Sequence, residues 1–182
     1  MGAPKALLDA GDGPFVRHVI HALLGGGCDP VVVVVRDVHG PEAAVARAAG
    51  ALVVANPTPA GGPVTSLRAA LGHLGTRPAG VAFLPTDHPL VTANTVRMLL
   101  DAFRGGDAQV VVPVHRGRRG HPPVFARALF AELADPTLRG GARTVIHRHL
   151  DHACLVEVED PGVLLDIDTP EAYRRAFGRL PG

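Results

Sequence analysis

Apolar residues recur at two periods along this chain, and the two alternate almost from end to end. Phe15-Val16, Val19-Ile20 and Leu23-Leu24 fall at helical spacing, after a Gly-Asp-Gly-Pro turn and before the stop Gly25-Gly26-Gly27. Residues 31–35 follow as a run of five valines. That run is too uniformly apolar to have a wet face, which places it in a parallel sheet covered on both sides. A short helix over 41–49 ends at Gly50, and 51–55 reads as a second strand. A loop over 56–62 leads into a helix over 63–74. Residues 81–84 form a third strand, broken by Pro85-Thr86-Asp87-His88-Pro89. Thr92 then caps a helix that runs to about residue 103. A fourth strand is expected over 109–114. Helices are expected over 123–134 and 139–149, about an Asp135-Pro136 break. Short strands are expected over 154–158 and 163–165. The last helix opens at Thr169-Pro170-Glu171, with Thr as cap and Pro at the first position.

Strands alternating with short helices predict an α/β fold: a Rossmann-like three-layer α/β/α sandwich around a mostly parallel sheet. At 182 residues the chain has the size of one ordinary domain, expected to span 1–182. The 18 basic and 17 acidic residues leave a net charge of +1, and neither sign dominates any stretch. That balance argues against nucleic acid as a partner. No apolar run approaches the ~20 residues a bilayer span needs, so no membrane partner is expected. No leader-like segment opens the sequence, and the expected compartment is the cytoplasm. Cys28 and Cys154 stand alone, without the spacing of a zinc site or a disulfide framework. Of the 18 basic residues, 17 are Arg and one, Lys5, is Lys. In so Arg-biased a chain, a single Lys suggests that a compact ammonium is needed there rather than a planar fork.

In open α/β sheets ligands gather at the carboxyl ends of strands. Asn56, Asp87, the loop 116–122 and Asp166 each follow a strand. Flanking prolines fix Asp87 at a strand tip, where a rigid carboxylate suits Mg²⁺ and its waters bridging to substrate phosphates. The competing role, capping the next helix, is better filled by Thr92. Asp166 and Asp168 lie two residues apart, so on extended backbone both point the same way. Asp166 reads as a metal ligand, and Asp168 or Thr169 as the cap of the last helix. Asn56, Gly62 and Ser66 sit at a glycine-rich strand-to-helix junction able to hydrogen-bond a base or ribose. Gly120 and His121 lie in a loop or hairpin, and Arg143 near a helix start could take a phosphate bidentately.

Five segments in this order resemble the MobA-like NTP-transferase domains, closest to the molybdenum cofactor cytidylyltransferases. They are Met1-Gly2-Ala3-Pro4-Lys5-Ala6-Leu7-Leu8; Asn56-Pro57 with Gly62 and Ser66-Leu67-Arg68; Leu84-Pro85-Thr86-Asp87-His88-Pro89-Leu90; Gly117-Arg118-Arg119-Gly120-His121-Pro122; and Leu165-Asp166-Ile167-Asp168-Thr169-Pro170-Glu171. The resemblance implies a nucleotide-diphospho-sugar-transferase (GT-A-like) sheet. It also implies transfer of a nucleotidyl group from an NTP to a phosphorylated acceptor, with release of pyrophosphate. In that branch the donor is CTP and the acceptor the molybdopterin cofactor; a molybdoenzyme or its maturation factor would be a further partner. Residue by residue, the resemblance puts Lys5 on the donor phosphates, and Asp87 and Asp166 on Mg²⁺. It puts Asn56, Gly62 and Ser66 beside the nucleoside, and Gly120, His121 and Arg143 toward the acceptor.

Three departures from the family pattern stand out. A strand and glycine-rich loop of the form Leu-Ala-Ala-Gly-x-x-x-Arg usually come just before the Met-Gly-x-Pro-Lys segment, and this sequence opens at that segment. His88 stands where Gln is usual, and Gly62-Pro63-Val64 where Gly-Met is usual. The expected consequence is an unfilled sheet position between the strands at 31–35 and 81–84, which an upstream segment would fill. Two other readings remain: a catalytically inactive cofactor- or nucleotide-binding protein, and a nucleotidyltransferase acting on another phosphorylated small molecule.

Overall fold

A computed structural model describes residues 4–58 and 62–180. Residues 1–3, which open the first motif, and 59–61, in the glycine-rich loop, lie outside the described residues. The elements in order are α1 (Phe15–Gly26), β1 (Val32–Val35), α2 (Pro41–Ala48), β2 (Leu52–Ala55), α3 (Pro63–His73), β3 (Gly80–Ala82), α4 (Ala93–Gly105), β4 (Val110–His115), β5 (Arg118–Arg119), β6 (Val124–Ala126), α5 (Phe130–Ala134), α6 (Gly141–Arg148), β7 (Cys154–Glu157) and α7 (Pro170–Phe177). Short 3-10 turns occupy Lys5–Leu7, Arg127–Leu129, Leu150–His152 and Pro161–Leu164.

β4 organises the larger sheet. Its six residues are all buried, and their alternation feeds two cores. Val111 packs with α1 and α4 on one face, while Val110 and Val112 pack with α3 and α5 on the other. β6 repeats the pattern, with Val124 in the first core and Phe125 in the second. This is the two-sided apolar strand of a covered sheet. The strand order is β3-β6-β4-β5, with β7 also on β4. β7 runs parallel to β4, and β6 antiparallel to both β3 and β4. β5 returns from β4 through a two-residue turn, Arg116-Gly117, in which both φ angles are positive (51° and 73°). That is the geometry a tight hairpin requires.

β1 and β2 form a separate parallel pair. Among the described residues no strand pairs with the second edge of β1 or of β3. Between those edges lies a cavity of about 660 Å³, lined on one side by residues of β1 and on the other by β3 and the chain as far as Asp87. Backbone groups along such edges lack sheet partners.

The sheet expected to be mostly parallel is mixed, three of the four pairings in its larger part being antiparallel, and two expected elements differ. Residues 124–126, placed in a helix by their spacing, form β6, and only residues 130–134 of that stretch are α-helical. Both faces of β6 are apolar, and in a three-residue strand this mimics helical spacing. Residues 163–165, expected as a strand, belong to the 3-10 turn Pro161–Leu164 and its end. There Gly162 packs against the Leu90 carbonyl, which a Cβ would meet at 2.3 Å.

Thr92 caps α4 by accepting from Thr95 N, and Thr169 caps α7 by accepting from Ala172 N. Asp160 accepts from the Thr92 amide and hydroxyl and from the Thr95 hydroxyl (2.7–3.0 Å), a structural use of a carboxylate. Among the described residues no helix is long and apolar enough to cross a membrane.

Candidate functional site

The site is assembled by four backbone seams. Asp87 follows β3 in a tight turn, where His88 N donates to Pro85 O (3.2 Å). Ile167 N donates to the Asp87 carbonyl (2.9 Å), and Ile167 is buried. Because side chains alternate on extended backbone, burying Ile167 turns Asp166 and Asp168 to the other side. His121 N donates to Val163 O (2.9 Å), and Gly120 N to Pro113 O (2.9 Å). A Cβ on Gly120 would stand 2.4 Å from the Val163 carbonyl oxygen, so only glycine allows the hairpin to close on that turn. Finally, Leu8, Phe15, Ile167 and Tyr173 share one small core, and the Tyr173 hydroxyl donates to Asp9 O (2.6 Å). That core holds the opening segment against the start of α7 and places Lys5 beside Asp168.

The product is a cluster of three carboxylates, from Asp87, Asp166 and Asp168, with ligand oxygens all within 4.8 Å of one another. Lys5 Nζ donates to Asp168. This hydrogen bond holds the Lys5 ammonium above its ordinary pKa and the Asp168 carboxyl below its own. Asp87 and Asp166 are pushed the other way, first by burial and then by neighbouring negative charge. Asp87 Oδ1 is buried and has no hydrogen-bond partner among the described residues. A buried orphan oxygen among three carboxylates is the donor set a hard divalent cation takes, and the residues therefore fit such an ion.

Beside the cluster, His88 and His121 stack with ring centroids 4.5 Å apart. His88 is buried, with Nε2 at 3.9 Å from Asp87 Oδ1. His121 is pushed down to about 4, chiefly by burial and then by His88, so it is neutral at physiological pH.

Asn56 closes β2 and latches the start of α3. Its amide nitrogen donates to Thr65 Oγ1 (2.9 Å) and Ser66 Oγ (3.1 Å), and its oxygen accepts from Thr58 N (2.9 Å). Gly62 precedes α3 at φ 76°. Asn56, Gly62 and Ser66 line the same cavity as Asp87. The structure thus brings Lys5, Asp87, Asp166, Gly120 and His121 together on one side, and Asn56, Gly62 and Ser66 across the cavity. Arg143 is not joined to the cluster by any hydrogen bond or ion pair among the described residues. It is exposed on α6, whose first residue, Gly141, packs toward Val64 of α3.

Asp168 was missed as a site residue by sequence reasoning, which divided the capping role between it and Thr169. The structure gives the cap to Thr169 and leaves Asp168 free to join the cluster. The Asp-x-Asp spacing was the signal that could have found it.

The chain is similar to known proteins in sequence and in fold. Molybdenum cofactor cytidylyltransferase of Escherichia coli (strain K12) is 27% identical over 128 residues. That match takes in 70% of this chain and 62% of the relative's length, so the chain spans about three-fifths of the curated protein it matches. The crystal structure of Rv0371c from Mycobacterium tuberculosis H37Rv superposes with a TM-score of 0.78 at 28% identity, covering 98% of this chain and 91% of that one. A manganese complex of Rv0371c superposes with a TM-score of 0.75 at 27% identity, covering 98% and 94%. The family model for the MobA-like NTP transferase domain matches residues 1–153, which include Lys5, Asn56, Asp87 and His121 and stop short of Asp166. On that match, and on a Rossmann-like α/β fold shared with these structures, the chain belongs to the MobA-like NTP transferase domain family, whose members are nucleotidyltransferases.

Proposed function

We propose that this protein is a Mg²⁺-dependent cytidylyltransferase that moves CMP from CTP onto the phosphate of the molybdopterin cofactor. A phosphate oxygen of the acceptor attacks the α-phosphorus of CTP, the bond from that phosphorus to the β-phosphate bridge breaks, and pyrophosphate leaves. Such transfers depend on in-line placement and charge neutralisation, and need no protein nucleophile. The observation that carries the reading is the convergence of Asp87, Asp166 and Asp168 with the lone lysine, Lys5.

In this reading Asp87 and Asp166 hold Mg²⁺, with Asp168 beside them, and the ion neutralises charge on the transferring phosphates. Lys5 supplies a second compact charge to the same phosphates. Asn56, Gly62 and Ser66 contact the nucleoside from across the cavity, which reaches from them to Asp87. Gly120 and His121 flank the acceptor; burial keeps His121 neutral, so it donates or accepts a hydrogen bond without adding charge. Arg143 stands farther out and would take an acceptor phosphate only as an outer contact. The chain 1–182 acts as a single domain, and a molybdoenzyme or its maturation factor receives the product. The compartment is the cytoplasm, in keeping with two unpaired cysteines, Cys28 and Cys154.

The test is pyrophosphate release from each of the four NTPs with molybdopterin and Mg²⁺. Release with CTP alone supports the reading. Release with GTP alone changes the donor, and release only with another phosphorylated acceptor changes the acceptor. The second reading is a protein that binds the cofactor without donor chemistry. It requires molybdopterin binding with no release from any NTP.

A further inference from the structure

Lys5 is the only lysine in the chain, and its ammonium is spent on an acid rather than held toward solvent. Its backbone is fixed: Leu8 N donates to Lys5 O (3.0 Å), Leu8 is buried, and Phe15 N donates to Leu8 O (2.8 Å). The side chain beyond that anchor is 43% exposed, so the four-carbon stem has room to swing. Three carboxylates converge there, and Lys5 Nζ engages only one of them, Asp168, directly. Asp87 Oδ1 remains without a partner among the described residues. One monovalent cation therefore sits beside donors for a divalent one, and the Asp168 carboxylate it engages belongs to the same group of oxygens within 4.8 Å of one another.

We infer that Lys5 is an exchangeable counter-ion of the acid cluster, displaced from Asp168 when a divalent cation binds and thereby released toward the nucleotide phosphates. This inference rests on the metal reading of the cluster given above. The physical reason is charge density. A divalent cation at the same oxygens outcompetes one ammonium, and the displaced ammonium then meets repulsion from the ion it made way for. A lysine suits this exchange better than an arginine, because its compact head on a flexible stem rotates away without breaking a bidentate fork. The ordering would couple the two charges: Lys5 becomes available to phosphates once the metal is in place.

The single lysine makes the test direct, since a ¹⁵N-labelled protein carries one ε-ammonium signal. Saturating Mg²⁺, without nucleotide, should move that Nζ resonance toward the position of a solvated lysine. Mn²⁺ alone, followed by electron paramagnetic resonance, should bind Lys5→Gln about tenfold more tightly than the natural protein, because a competing charge is gone. If Mn²⁺ binds both proteins equally, or Lys5→Gln more weakly, and the Nζ signal stays in place, the exchange is overturned while the metal reading stands. If Mn²⁺ binds neither protein, both are overturned.

Discussion

The two sheets of this molecule meet the same requirement in different ways. In the larger one, β4 is buried throughout, pairs with β6 and β7, and separates two packed cores. In the smaller one, β1 pairs only with β2 among the described residues, and its other edge faces a cavity of about 660 Å³. Both are built from valine-rich strands, so composition does not distinguish them. Pairing does. The carboxylate cluster hangs from the larger sheet, whose edge strand β3 also lines the cavity, through turns stitched by backbone hydrogen bonds, whereas Asn56 and Ser66 hang from the smaller pair. The comparison contrasts a sheet packed on both faces with a two-stranded pair that has one edge unpaired among the described residues.

The largest difference should appear in matched truncations. Val112→Ala on β4 should cost about 2–3 kcal/mol, since the side chain is fully buried in the second core. Val33→Ala on β1, half-buried beside the cavity, should cost under about 1 kcal/mol. Urea unfolding of the two variants measures both, and equal losses would erase the distinction.

Gly120→Ala tests the seam that links hairpin to cluster. A methyl at 2.4 Å from the Val163 carbonyl should cost about 1–3 kcal/mol and loosen the stack of His121 on His88. Thermal unfolding and the His121 ring resonances report the two effects separately.

A smaller effect of opposite sign is expected at Asp166. Burial and the Asp168 charge raise its pKa in the fold, so the folded state disfavours the ionised form. A raised carboxylate pKa means a penalty that is present above the folded pKa and disappears as pH falls below the unfolded one. Asp166→Asn should therefore raise the melting temperature of the metal-free protein at neutral pH. The gain should vanish under acidic conditions, and it should reverse when Mg²⁺ stabilises the natural protein. A melting temperature that falls in EDTA at neutral pH would contradict this electrostatic account.

Much of this architecture is legible in the sequence because its strands and helices are bounded by strong punctuation. Gly25-Gly26-Gly27 ends α1, Thr92 starts α4, and Thr169-Pro170 starts α7. β6 escapes because three adjacent apolar residues after a pair of prolines carry no period of their own; only packing on both faces of a sheet identifies them. Asp87 is legible from its flanking prolines. The Lys5 contact with Asp168 is not, because 163 residues separate the partners and the small core of Leu8, Phe15, Ile167 and Tyr173 brings them together. Asn56 and Ser66 were both visible at a helix entry, but their mutual hydrogen bond was not.

The central claim is that the acid cluster drives metal-dependent transfer, and Asp87→Asn tests it most directly. The substitution removes one charge at a half-buried strand tip and little packing volume. Pyrophosphate release from CTP with molybdopterin and Mg²⁺ should fall below about a tenth of the natural rate, as loss of a metal ligand requires, with the metal-free melting temperature no lower than that of the natural protein. A variant that stays folded and keeps more than that tenth would contradict the account.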